Sequence, residues 1–289
     1  MTSGPVLAAL LVGGIAAVTS GIIGVFSVLR TQSFAGHSLA DIATTGGAAA
    51  FLVGVNQFWG FLVMGLAASA AMEAIGVQRR RGRDVATGVV LGGGLGLAAL
   101  FLYLGTQHTS TTGASFSLLF GSIFVLAPGT VPAVLAAGVV ALIVVVVLGR
   151  RLLLTAISPD LARARGVNVR LTGIFFLMAL AVTVSLSAVA IGAVLSTALL
   201  VGPAATALRV TRSPVRAMIV SAATALAATW LGIWLAYESY YWPPHGHNWP
   251  VSFFVVALVL TAYLLSYARR PRKPVPPRSP HEGAECSPA

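Results

Sequence analysis

The chain has 289 residues, 57% of them hydrophobic and 9% charged, with a mean hydropathy of +0.91. That composition excludes an ordinary soluble domain and indicates an integral membrane protein, in which a helix of about 20 apolar residues crosses the hydrocarbon core. The net charge of +11 does not point to nucleic acid, because the basic residues stand at the ends of apolar segments, the pattern of cytoplasmic loops.

The first apolar segment covers 5–29 and ends at Arg30. No basic residue precedes it, so it is not a cleaved signal peptide and its N-terminus is expected outside. The second, 36–54, opens with His37 and Asp41, which are four residues apart and share one helical face. Ionisable groups at membrane depth are costly and tend to face a polar pathway or a partner. Two readings stand for the pair: a metal-ion or proton site, or a polar patch near a helix start held by capping bonds and interfacial water. A turn at Asn56 leads to the third segment, 58–77, closed by Arg79, Arg80, Arg81 and Arg83. Glu73 near its cytoplasmic end is accounted for by snorkelling or by pairing with an arginine.

Asp84 reads as the N-cap of the fourth segment, 86–105. Its Gly88, Gly92 and Gly96 carry small-xxx-small spacing, which admits another helix closely, either in the same subunit or across a dimer seam. The polar stretch 107–113 is expected outside. Residues 117–128 are apolar but too short to span, which suggests a re-entrant or interfacial helix. The fifth segment is 131–148, followed by a cytoplasmic stretch from Arg150 and Arg151 to Arg170.

That stretch contains a short capped helix. Ser158 is a good N-cap, Pro159 suits the first helical position, and Asp160 lies where the helix dipole favours an anion. Leu161 and Ala162 follow, then Arg163 and Arg165, with Gly166 as a left-handed stop. It is either an amphipathic surface helix or a docking helix for a cytoplasmic partner.

Segments six and seven cover 171–191 and 193–208. Gly192 and the pair Gly202 and Pro203 punctuate them, as packing kinks or as flexible elements of a pathway. Arg209, Arg212 and Arg216 precede the eighth segment, 217–236. The loop 237–250 is rich in Tyr and Trp, lacks Lys and Arg, and is expected outside at the interface. It carries His245 and His247, which are either exposed histidines beside an aromatic belt or an outer point of metal intake. The ninth segment is 251–268, and the basic, proline-rich tail 269–289 is expected to be cytoplasmic and disordered. The predicted architecture is all-α: a polytopic helical bundle of eight or nine transmembrane helices over 1–268, with its C-terminus inside.

Enzymatic chemistry is not expected. The only lysine, Lys273, is in the tail, so no P-loop exists. There is no His-Glu-x-x-His, and Ser115 lacks the glycine a nucleophile elbow needs. The single cysteine, Cys286, excludes an internal disulfide.

Four stretches carry a resemblance. Ser33-Phe34-Ala35-Gly36-His37-Ser38-Leu39-Ala40-Asp41 resembles Ser-Phe-x-Gly-Asp-x-Leu-Ser-His, and Leu119-Phe120-Gly121-Ser122-Ile123 resembles Leu-Phe-Gly-Ser-Ile. Ser158-Pro159-Asp160-Leu161-Ala162 through Gly166-Val167 is similar to an Asp-Pro-Glu-x-Ala…Gly-Val loop. Gly192 through Leu200, then Pro203-Ala204-Ala205-Thr206-Ala207, is similar to a Gly-x-Leu-Leu…Pro-Ala-Ala-Thr-Ala stretch. In this order they resemble the permease subunits of bacterial ABC-type importers of manganese, zinc and iron.

The resemblance implies a permease of the bacterial cell membrane, with two copies forming the pathway and no resident cofactor. A divalent transition-metal ion would be the substrate, with His37 and Asp41 as its ligands. Separate ATPase subunits would dock on Ser158, Pro159, Asp160, Leu161, Ala162, Arg163 and Gly166, and a metal-binding solute-binding protein would deliver the ion outside. Two departures are plain: the family's Asp precedes its His, the reverse of His37 and Asp41, and a proline usual near Thr45 is absent. The alternative is a secondary transporter or channel that uses His37 and Asp41 for ion or proton coupling and needs no ATPase.

Overall fold

A computed structural model describes residues 4–74, 83–109, 118–121, 123, 129–242 and 249–268. Among them no strand occurs. The helices are α1 (Gly4–Leu29), α2 (Ser33–Val53), α3 (Gln57–Ala74), α4 (Arg83–Thr109), α5 (Thr130–Ile157), α6 (Pro159–Ala164), α7 (Val169–Ile191), α8 (Ser196–Val210), α9 (Pro214–Glu238) and α10 (Val251–Ala268). A 3-10 turn, Ser239–Tyr241, extends α9. Helices satisfy their own backbone groups, which hydrocarbon demands of any spanning segment.

Five of these, α1, α5, α7, α9 and α10, are long and apolar enough to cross a membrane, while α8 and the Leu91–Gln107 part of α4 are apolar but shorter. Eight or nine crossings were expected from the sequence. The count by length and apolarity leaves out α2, whose Ser38, Asp41, Thr44 and Thr45 are buried inside the bundle.

The fold is built around α7, which packs against α1, α2, α3, α5, α6, α8 and α10. Its Phe176, Leu177, Leu180 and Val184 form a core with Ile23 and Phe26 of α1, Leu39 of α2 and Leu152 of α5. In lipid, apolar burial drives association weakly, so close packing and interhelical hydrogen bonds hold the helices together. Ser20 meets Ser187 at 2.7 Å, Ser185 donates to the Phe61 carbonyl at 3.1 Å, and Thr45 donates to the Gly94 carbonyl at 2.7 Å. Each such bond is worth about 0.6 kcal/mol in a membrane.

Helices α2 and α3 form a hairpin. The turn expected at Asn56 is present: its side chain accepts from the Phe58 amide at 3.0 Å and donates to Thr130 at 2.6 Å. The two helices cross with Gly46 against Gly60, where a Cβ on either would strike the other's carbonyl.

Two sequence expectations are revised in detail. Helix α4 already includes Arg83, which puts Asp84 inside the helix rather than at its N-cap. Its glycines also differ from one another: Gly94 packs on Ile42 and Thr45, whereas Gly92, Gly93 and Gly96 face open space. Within the subunit α4 therefore docks through Gly94, not through the Gly92 and Gly96 face.

Candidate functional site

Helix α2 follows α1 through a turn of three residues, Arg30, Thr31 and Gln32. His37 stands in the second turn of α2 and Asp41 one turn further. The expected shared face is real: His37 Nε2 is 3.4 Å from Asp41 Oδ2. The other ring nitrogen, Nδ1, is 3.0 Å from the Thr197 hydroxyl on α8. The Asp41 side chain is 10% exposed and the His37 side chain 43%, so the carboxylate is covered and the imidazole has an open edge.

The place of the pair follows from its neighbours. Gly36 lies against Leu180 of α7 and Leu200 of α8. From Arg170 to Leu180 the helix climbs about 15 Å at ~1.5 Å per residue. The helix Val169–Ile191 has 23 residues, so Leu180 stands at its middle, and Gly36, next to His37, packs there.

The geometry suits an ion. Two donors each about 2.1 Å from one centre, at a tetrahedral angle, stand about 3.4 Å apart. When Nδ1 donates its proton to Thr197, Nε2 keeps its lone pair and turns it toward Asp41. A hydrogen bond to the far nitrogen is the usual way a ligating imidazole is oriented. Among the described residues no third His, Cys, Asp or Glu joins the pair. The pair supplies one nitrogen and one or two oxygens, and any further ligands come from water or from another chain.

The short helix α6 forms as its sequence dictates. The Ser158 hydroxyl accepts from the Leu161 amide at 3.2 Å, Pro159 opens the helix, and Asp160 pairs with Arg163 at 2.9 Å. It ends at Ala164, with the Gly166 amide on the Arg163 carbonyl and the Val167 amide on the Ala162 carbonyl, both 2.9 Å. Ala162 is buried against the bundle, while Asp160, Leu161 and Arg163 are exposed.

The remaining candidates fall in different places. Gly192 breaks the chain between α7 and α8 at φ +92° and faces Gly121 at φ +83°, each backbone filling the space of the other's missing Cβ. There the amides of Ala193 and Val194 reach the carbonyls of Leu118 and Leu119, both at 3.3 Å. Gly202 is pressed against Val259 of α10, and Pro203 is buried inside a continuous α8. His245 and His247 lie outside the described residues, as do Arg79, Arg80, Arg81 and the tail.

A second polar cluster lies at the N-terminal root of α2, before the first turn. Arg30 donates to Thr155 at 2.7 Å and to Gln32 at 3.3 Å, and its guanidinium lies 5.1 Å from the centre of the Phe176 ring. Burial draws it below its ordinary value, and the Glu73 carboxylate pulls it back. Glu73, 9% exposed, stands 3.8 Å from Arg170, the arginine partner its sequence position suggested.

Comparison with known proteins agrees with the architecture. The chain is 31% identical over 222 residues to the manganese import system permease protein ScaB of Streptococcus parasanguinis, covering 76% of this chain and 78% of that one. It is 27% identical over 206 residues to the high-affinity zinc uptake system membrane protein ZnuB of Haemophilus influenzae, covering 71% and 78%. Its fold is similar to that of PsaBC from Streptococcus pneumoniae in complex with Fab, with a TM-score of 0.77, 24% identity and 92% of each chain covered. The ABC 3 transport family matches residues 5–269, nearly the whole chain through α10, and the protein belongs to that family.

Proposed function

We propose that this chain is the membrane-spanning permease of an ABC importer for a divalent transition-metal ion, and that the ion passes His37 and Asp41. The observation that carries this reading is the 3.4 Å approach of His37 Nε2 and Asp41 Oδ2 beside the middle of α7, with Thr197 on the other ring nitrogen. Two donors hold an ion without enclosing it, and a transport site must release what it binds. One nitrogen with carboxylate oxygen suits both zinc and manganese, the ions of the relatives' names.

The remaining parts follow from this reading. A second copy of the chain lines the other side of the pathway and supplies further ligands. A separate ATPase subunit hydrolyses ATP and presses on α6, where Leu161 is an exposed apolar contact beside the Asp160 and Arg163 pair. A solute-binding protein delivers the ion outside. The placement of the basic residues supports a cytoplasmic α6 side and tail and an outer N-terminus, which makes nine crossings with α2, α3, α4 and α8 included.

The test is uptake of Zn²⁺ and Mn²⁺ by proteoliposomes holding the permease with its ATPase. His37→Ala and Asp41→Ala are each expected to reduce ATP-driven uptake to background while the complex still assembles. The exchange of His37→Asp with Asp41→His should retain part of the activity. Normal uptake by both alanine variants would make the pair structural polarity at a helix start. Uptake independent of ATP would favour a secondary transporter instead.

A further inference from the structure

Ion passage leaves the cytoplasmic cluster around Arg30 unexplained. An arginine at the end of a membrane helix normally extends its charged head to water. Arg30 instead turns inward, under Phe176 and onto Thr155. Thr155 is ready to receive it: its own proton goes to the Leu152 carbonyl at 3.0 Å, which leaves the hydroxyl oxygen free to accept from the guanidinium.

The two ends of this bond belong to two functional elements. Thr155 lies in the last turn of α5, three residues before Ser158, the N-cap of α6. Arg30 lies in the turn that starts α2, one residue before Thr31 and seven before His37. The bond therefore joins the α5–α6 corner to the root of the helix that carries the ion pair.

The turn itself is stiff. Thr31 has φ 54°, the only non-glycine with positive φ among the described residues, and a β-branched side chain is strained there. The turn is closed by amides on both sides: Thr31 to Val28 at 3.1 Å, Gln32 to Ser27 at 2.8 Å and Gly36 to Gln32 at 3.1 Å. A turn bonded to both helices and held in a costly conformation passes a displacement on rather than absorbing it. Functional sites are where such strained positions concentrate. On the far side of α6, Arg170 opens α7 and meets Glu73 at the end of α3, so the corner is tied to the bundle on two sides.

We infer that Arg30 is a positioning residue for transport: through Thr155 and the strained Thr31 turn, it carries movement of the α5–α6 corner to α2 and so to the His37–Asp41 pair. This rests on the importer reading above. It adds the physical link between the cytoplasmic helix and the ion.

The experiment uses the complete transporter, permease with ATPase, in proteoliposomes, with Zn²⁺ and Mn²⁺ as probes. ATP hydrolysis, ion uptake and equilibrium ion binding without nucleotide are measured on the same preparations. Arg30→Gln and Thr155→Val should each lower the number of ions moved per ATP by about fivefold or more, the size of an ordinary coupling between sites. Hydrolysis and nucleotide-free binding should persist. The double variant should be no worse than Arg30→Gln alone, since both remove one bond, and Arg30→Lys should restore part of the ratio. Thr155→Val is nearly isosteric and keeps the test open if Arg30→Gln fails to assemble. An unchanged ratio in Thr155→Val, additive losses, or binding and hydrolysis falling in step with uptake would each overturn the link. Absence of ATP-driven uptake in the unaltered transporter would overturn the importer reading and the link with it. Intact coupling in all variants would overturn the link alone.

Discussion

Helix α2 carries one polar group in its second and third turns and has another at its N-terminal root, and they are built in opposite ways. His37 and Asp41 meet at 3.4 Å with the imidazole 43% exposed, and no further ionisable side chain among the described residues completes them. Arg30 is bonded to Thr155 and Gln32 and covered by Phe176. The first arrangement leaves an open imidazole edge for a visitor, whereas the second ties the arginine to its own turn and to α5. A site that exchanges an ion must be unsaturated, whereas a mechanical joint works better when every contact is made.

One way to break that contrast is to make the same isosteric change at both places. Asp41→Asn removes the anionic ligand and is expected to abolish ion binding measured by isothermal titration. Glu73→Gln, in the closed cluster, is expected to leave the affinity unchanged. Equal losses would mean that Asp41 acts through the fold, not as a ligand. A smaller effect should come from Thr197→Val, which frees the far nitrogen of His37. Loss of such an orienting hydrogen bond costs typically 10–100-fold in metal affinity. Affinity unchanged in this variant would leave the ring oriented by Asp41 alone.

Acidity sharpens the comparison further. Protonated His37 has no lone pair to give, so the proton and the ion compete for Nε2, and ion affinity should fall as pH is lowered. The His37→Ala variant should lose this dependence, and an identical pH profile in the variant would assign the effect to another group. The smallest effect belongs to the cap of α6. Ser158→Ala removes one bond to the Leu161 amide, worth about 1 kcal/mol. Transport should weaken only slightly, whereas Leu161→Asp, which removes the exposed apolar contact, should release the ATPase subunit in a pull-down.

Much of this was legible from local chemistry. Ser158, Pro159 and Gly166 mark the limits of α6 because capping and left-handed stops depend on adjacent residues only. The spacing of His37 and Asp41 fixes their common face for the same reason. What a sequence cannot show is which distant element meets that face. Thr197 lies inside a stretch whose resemblance was visible, yet nothing local ties it to a histidine on another helix. Charge placement marks Arg30 as a loop arginine, but its inward turn depends on Thr155 and Phe176. Periodic glycines in α4 likewise signal a possible close approach without saying which glycine is used, and the structure uses Gly94.

The hydroxyls of α2 also bear on how the chain is made. Ser38 donates to the Phe34 carbonyl at 2.9 Å and Thr44 to the Ala40 carbonyl at 2.8 Å, each one turn back along the same helix. The ribosome delivers α2 long before α7 and α8, which later cover it. During that interval the two hydroxyls need no partner from elsewhere. The segment can thus wait in the bilayer as half of a hairpin with α3, its polarity largely settled internally, until the late helices arrive with Thr197.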